Sequence, residues 1–344
     1  MSLADLSAQI RAALKWLLIL PAILLLLWVV WLVAKEVSKV ALKPRGQETA
    51  YGKLAPPLFT KTYSTLTASQ FELAASFPKK KEKANVFQLQ TGSKFSEKQP
   101  KELVSFFGLS GSEKNQSGNV TTWKNSSATF SLDNSQSHFE FRLDLTKESS
   151  SLPTNASVDK DQAVKKAKEI LKKLVFLPKD VDQDNPVVLF FSLSAEKRSE
   201  TSNLSANAAE INFFRKVDGT RSSGDPLIRL LLERGSNKIL EFDYHYYPLN
   251  SVASAYPIID SSEAWEELQD GKAFTKEGDE FDLVTATKIN LSYWESKFSQ
   301  PYLQPIWIFS IRGKNDSGEK EFEAYFPAIT PSFLWKGESP ISPP

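Results

Sequence analysis

Hydrophobic positions follow three different periods along this chain, and each period predicts a different element. Residues 16–34, WLLILPAILLLLWVVWLVA, carry no charge. At about 1.5 Å per residue a helix of this run covers about 28 Å, close to the ~30 Å hydrocarbon core of a bilayer. One uncleaved transmembrane helix is expected there. Trp16 stands at one end and Trp28 and Trp31 near the other, as amphipathic rings do at membrane interfaces. Pro21 falls early in the run, where few intrahelical bonds are lost. A cleaved signal peptide is the rival reading, but the run is long for one and no convincing A-x-A site follows it.

Past that run the period changes. Residues 35–83 hold KPRG, APPLF and FPKKKEK without sustained periodicity, which reads as a stalk, extended at Pro56-Pro57. Its cluster Lys79, Lys80, Lys81 and Lys83 is read as a solvated loop in preference to an anionic-surface contact. Residues 84–148 form a first α+β module. ANVFQLQ predicts a strand, KQPKELVSFFGL a helix ended by Gly108, and SATFSLD with HFEFRLDL a hairpin about NSQS. Phe139, Phe141, Leu143 and Leu145 alternate, so one face of that hairpin is buried. SSSLPTNAS, residues 149–157, is a linker by composition.

A second module spans 155–250. Val164, Ala167, Leu171 and Leu174 recur every three or four residues and mark one face of a helix, with Ser157 placed as its N-cap. Strands follow in PVVLFFSLSA, AAEINFFRKVDG and PLIRLLLERGSNKILEFDYHYYPL. A third module, 256–330, repeats the order. Asp260 and Glu263 have capping-box spacing, with Ile259 and Ala264 as the hydrophobic staple. The helix they open turns Ala264, Trp265 and Leu268 inward and stops at Gly271; its acidic residues are capping and solvated face, not a calcium loop. In YLQPIWIFSI, residues 302–311, alternation puts Trp307 and Phe309 on one face, against Trp265 and Leu268, and Pro305 asks for an edge or an irregular strand start. Residues 1–15 are a short leader and 331–344 a Pro-rich tail. The class is α+β: an N-terminal transmembrane helix, then tandem modules of a helix packed on an antiparallel β-sheet.

Composition narrows function mainly by exclusion. The 42 basic and 41 acidic residues nearly cancel, so no global field recruits nucleic acid. There is no cysteine, hence no disulfide, thiolate nucleophile or Cys-ligated metal. His138 and His245 lie far apart in sequence and in different predicted modules, which is read as excluding a multi-histidine metal site within the chain. No GxSxG elbow accompanies them. His138 reads as a turn or edge residue. His245 sits with Tyr244, Tyr246 and Tyr247 as strand aromatics packing on a helix, with an aromatic binding surface as the alternative. No catalytic, cofactor or metal residue is assigned, no cofactor is expected, and partner-binding residues stay unassigned.

Two arguments about orientation conflict. Arg11 and Lys15 precede the apolar run, whereas Lys35, Lys39, Lys43 and Arg45 follow it, so the positive-inside rule favours a cytoplasmic C-terminal part. Against that stands a resemblance. AWEELQDGKAF, VTATKINLSYW, YLQPIWIFSIRG and FEAYFPAI, in that order, resemble the C-terminal domain of the YycH/YycI regulatory proteins. AVKKAKEIL with INFFRKVDGTRSSGDPLIRLLLERGSNKILEF is similar to the module before it and to PepSY-like modules. The likeness covers about residues 155–330. It implies a single-pass bacterial membrane protein with its bulk extracytoplasmic and no enzymatic activity. The implied partners are the bilayer and a membrane or envelope protein such as a sensor histidine kinase, with homo- or hetero-oligomers admitted. A passive scaffold or assembly subunit of the envelope is the alternative.

Overall fold

The computed structural model describes residue 28 and residues 49–60, 62–90, 95–96, 98–148, 158–174, 177–194, 197–236 and 238–335. The expected leader and membrane helix lie outside these residues, apart from Trp28, as does Ser157. No helix among the described residues is long and apolar enough to cross a membrane.

The elements run β1 (Ser64–Thr65), β2 (Ala68–Leu73), β3 (Lys83–Leu89), α1 (Gln99–Phe106), β4 (Glu113–Ser117), β5 (Val120–Lys124), β6 (Ala128–Asp133), β7 (His138–Leu143) and α2 (Leu145–Glu148). Then come α3 (Lys160–Leu174), β8 (Val187–Leu193), β9 (Arg198–Glu200), β10 (Ala208–Phe213), β11 (Lys216–Val217), β12 (Thr220–Arg221), β13 (Ser223–Gly224), β14 (Ile228–Glu233), β15 (Ile239–His245) and β16 (Leu249–Pro257). The chain closes with α4 (Ser261–Gln269), β17 (Phe274–Thr275), β18 (Phe281–Glu295), β19 (Tyr302–Asn315), β20 (Gly318–Pro327) and a 3-10 turn, Pro331–Phe333.

The α+β class holds, with largely antiparallel sheets, but the strands form two large sheets in place of three modular ones. Sheet I has the order β4-β5-β6-β7-β15-β14-β10-β8-β9. The first and second expected modules therefore share one sheet, joined where β7 pairs antiparallel with β15. Sheet II has the order β1-β17-β20-β19-β18-β13, with β2 on β18, and β3 on β19 and β16. A strand's alternation tells which face is buried and nothing about its neighbour, so this pairing was invisible in the sequence.

Helices α1 and α3 cover one face of sheet I. Leu103 and Val104 of α1, and Ala163, Ala167, Ile170 and Leu171 of α3, share a core with Phe130, Phe139, Phe141, Ile211, Leu230 and Phe242. The cap of α3 is Asp159, whose Oδ1 accepts from the backbone of Asp161 (2.9 Å) and Gln162 (3.1 Å), so the helix begins later than a cap at Ser157 requires. Gly108 ends α1 at φ +69°, as its position suggested. Asp260 caps α4, accepting from Ser262 N at 3.2 Å.

Beneath α4, Trp265, Leu268, Trp307 and Phe309 are buried in one cluster, as the alternation of 302–311 predicts. The opposite face is also buried. Ile306 and Ile308 pack with Tyr63, Trp294 and Tyr325. The cover comes from the expected stalk: Trp294 Nε1 donates to Leu58 O (2.9 Å) and Gln304 Nε2 to Ala55 O (2.7 Å). Leu54 and Leu66 are fully buried, and β1 and β2 are members of sheet II, so residues 49–60 and 62–73 are structural. Their segments are too short to show a period, and only pairing reveals them. The expected tail is likewise integrated as far as Trp335, whose N–H donates to Leu54 O at 2.9 Å. Pro305 lies between the residues of β19 that pair with β3 (302–303) and those that pair with β20 (306 onward). An irregular strand start is what it marks.

Candidate functional site

On the face of sheet I opposite α1 and α3, alternation places charges where the other face places Phe and Leu. In β15, Phe242 and Tyr244 belong to the helix-covered core, and Glu241, Asp243 and His245 point the other way; Leu240, at a bulge, packs instead with Phe191, Leu193, Ala208 and Leu231. Register then sets Arg229 opposite Asp243, Arg142 opposite Glu241, and His138 opposite His245. The result is a ladder of ion pairs across the strands. Arg142 Nη1 lies 3.1 Å from Glu241 Oε1, and Arg198 Nη1 3.3 Å from Glu241 Oε2. Arg198 also pairs with Glu210. Arg229 stands among three carboxylates, 3.5 Å from Asp243, 3.8 Å from Glu241 and 3.9 Å from Glu210.

This corrects the inference that distance in sequence separates the two histidines. Their rings approach to 6.3 Å between centroids, edge to face. Both flank Asp243: His138 Nε2 is 3.5 Å and His245 Nδ1 3.9 Å from Asp243 Oδ1. These are ion-pair distances, too long for hydrogen bonds. Burial works to raise the Asp243 carboxyl, but the imidazoles on either side outweigh it and hold it well below the usual carboxylate range. No group of three or more His, Asp or Glu among the described residues is arranged to hold a metal ion.

A cleft of about 330 Å³ opens over this ladder, between β8, β10, β14 and β15 on one side and Gly224, Asp225, Pro226, Lys276 and Lys297 on the other. Three of its lining residues present buried polar atoms that lack a hydrogen-bond partner: Asn212 Oδ1, Asp243 Oδ1 and both ring nitrogens of His245. Asn212 is 5% exposed and His245 3%. An unsatisfied buried polar atom costs ~1–3 kcal/mol, so several converging on one cavity mark a place where a polar molecule is accommodated. The lining carries Arg229, Lys276 and Lys297 against Glu210, Asp225 and Asp243. Such a balance suits a ligand bearing both donors and acceptors over a simple anion or cation. Asp243 and His245 are two of the residue types of a hydrolytic triad, but at 3.9 Å they make no hydrogen bond, and no lining residue carries a hydroxyl or thiol to act as nucleophile.

Among the tyrosines around His245, Tyr244 packs in the helix-covered core, whereas Tyr247 is buried with Leu89, Val217, Tyr293 and Leu303, away from any helix. Tyr244 stacks on Phe139 at 5.3 Å within the helix-covered core. Tyr246 Oη donates to Asp180 Oδ1 at 2.8 Å, and burial pushes the Tyr247 phenol up to about 12. The Glu241-Asp243-His245 alternation was present in the sequence as a polar face, and its partners Arg229, Glu210 and Asn212 were not, since they come from other strands.

No protein-family profile matches the chain, and neither does any curated protein. Among solved structures it is similar to an uncharacterized protein from Eubacterium rectale, at 11% identity and TM-score 0.46, over 77% of this chain and 90% of that one. It is also similar to the C-terminal domain of Bacillus megaterium YpeB, at 14% identity and TM-score 0.36, over 70% of this chain and 95% of that one.

Proposed function

We propose that this chain is a non-enzymatic, membrane-anchored binding protein whose folded region lies outside the cytoplasm and restrains an envelope partner. The observation that carries the binding role is the convergence of Asn212, Asp243 and His245, with orphaned polar atoms, on one charged cleft. The resemblance to YycH/YycI regulators supports a sensor histidine kinase as the restrained partner, and the apolar run at 16–34 supports the anchor.

Deletion of the gene in its host, complemented with wild type or with Arg229→Glu, tests this reading. A transcriptional response rescued by wild type and not by the variant, and abolished when the kinase is removed, is the expected result. Failed envelope assembly without any transcriptional signature would favour a passive scaffold instead. Protease added to intact spheroplasts should digest the folded region; protection until lysis would overturn the orientation.

A further inference from the structure

The edge of β18 is interrupted. On one side β18 pairs with β19 from Leu283 to Trp294. On the other it pairs in parallel with β2 as far as Ala286, and again with β13 at Trp294 and Glu295. Between these two neighbours no strand among the described residues pairs with it. The carbonyl of Ala286 accepts from the backbone of Ala74 and Ala75, where the first neighbour ends. Ser292 Oγ donates to Arg221 O at 2.6 Å, where the second approaches. Residues 287–291 are left as open edge, about 17 Å long at ~3.3 Å per residue. Glu295 O faces this side, accepting from Asp225 N, so by alternation the N–H and C=O of Ile289 and Leu291 face the opening too.

The opening is a groove of about 590 Å³. Four cations line it: Lys79, Lys81, Arg221 and Lys288. None of the four makes an ion pair with a described residue, and the two acids in the lining are engaged already. Asp182 accepts from Asn185 Nδ2 at 3.2 Å, and Glu323 from Tyr325 Oη at 2.7 Å. An unpaired edge held between two paired ones is a template for an added strand, and its charge selects what is added.

We infer that the open edge at 287–291 receives an extended, acidic segment of a partner protein as an inserted strand. Backbone hydrogen bonds to Ile289 and Leu291 hold the segment, and Lys79, Lys81, Arg221 and Lys288 select its acidic side chains. The lysine run of residues 79–83, read from sequence as solvated loop, thereby acquires a role in recognition. This site shares no lining residue with the His245 cleft, so the two stand or fall separately.

The test uses the full chain in detergent and a fluorescent peptide, acetyl-Thr-Glu-Val-Glu-Val-Glu-Thr-amide, followed by anisotropy. Saturable binding that weakens with salt is expected, with a Lys-for-Glu peptide binding at least tenfold more weakly. Two peptides N-methylated at alternate amides, one in each phase, separate backbone pairing from charge: one phase should lose at least tenfold and the other little. The Lys81→Glu/Lys288→Glu protein should lose at least tenfold with an unchanged melting midpoint. No binding of the acidic peptide, equal binding of acidic and basic peptides, or equal binding of both methylated forms would overturn the inference.

Discussion

Asp243 carries more of the candidate site than any other single side chain, because both histidines and Arg229 converge on it. Its carboxyl is held below the ordinary range, so the stability it contributes is fully present above the unfolded value of about 4 and is lost as pH falls from there toward the folded value. Asp243→Asn should therefore destabilise the fold near neutrality, and the deficit should shrink below about pH 4. Urea melts at pH 7, 4 and 3 measure this; a deficit constant across all three would contradict it. In sheet II, Trp307 is buried and donates from Nε1 to Ile259 O at 3.2 Å, so Trp307→Ala should cost about 3–5 kcal/mol. Trp265 meets the ring of Phe309 at 6.1 Å and that of Phe71 at 6.3 Å. A double-mutant cycle on Trp265 and Phe309 should return a coupling of about 0.5–1.5 kcal/mol, and strict additivity would show that the rings do not interact.

Among the elements, β19 shows how a strand's partners give meaning to its sequence. Gly313, which lacks a side chain within the pleat, sits beneath a ring pair: Phe281 and Phe322 stack at 4.9 Å. A Cβ at 313 would come within 2.6 Å of Phe281 and 2.7 Å of Phe322. Gly313→Ala should accordingly destabilise by about 1–3 kcal/mol through overpacking, although alanine has the better strand propensity. A denaturation midpoint equal to wild type would mean that the two rings can part at no cost. The same strand explains why residues 55–60 and 62–63 cannot be a solvated stalk. They cover Ile306 and Ile308, which alternation had assigned to the less apolar face.

At the scale of the whole molecule, a fully buried guanidinium ties the two sheets together. Arg215, just after β10, donates from Nε to Glu295 Oε2 of β18 at 2.8 Å and from Nη2 to Tyr247 O at 2.8 Å, and also pairs with Asp180. Burial alone would lower its pKa, but Glu295 and Asp180 outweigh it and raise it, so the charge is kept. Residues 47–344 form one compact unit, which includes residues 49–60 and 62–83 of the expected 35–83 stalk. A fragment beginning at residue 47 should therefore melt cooperatively. One beginning at residue 84, which loses Leu54, Leu66, β1 and β2, should melt at a much lower midpoint or fail to fold. Matching midpoints for the two fragments would show that residues 49–73 contribute nothing to the fold.

Sequence alone determined what each segment could form and which face it would bury. Helices α1, α3 and α4, the alternation in β7, β15 and β19, the cap at Asp260 and the stop at Gly108 all follow from short-range periodicity and local backbone chemistry. The tertiary structure decided everything that depends on which strand lies beside which. It merged two expected modules through β7 and β15, brought His138 beside His245, added residues 64–65 and 68–73 to sheet II as strands, and left 287–291 with no strand on one side. The physical reason is one of range. Burial acts on each residue through its own side chain and leaves a periodic trace, whereas strand pairing runs through backbone groups that every residue except proline carries alike.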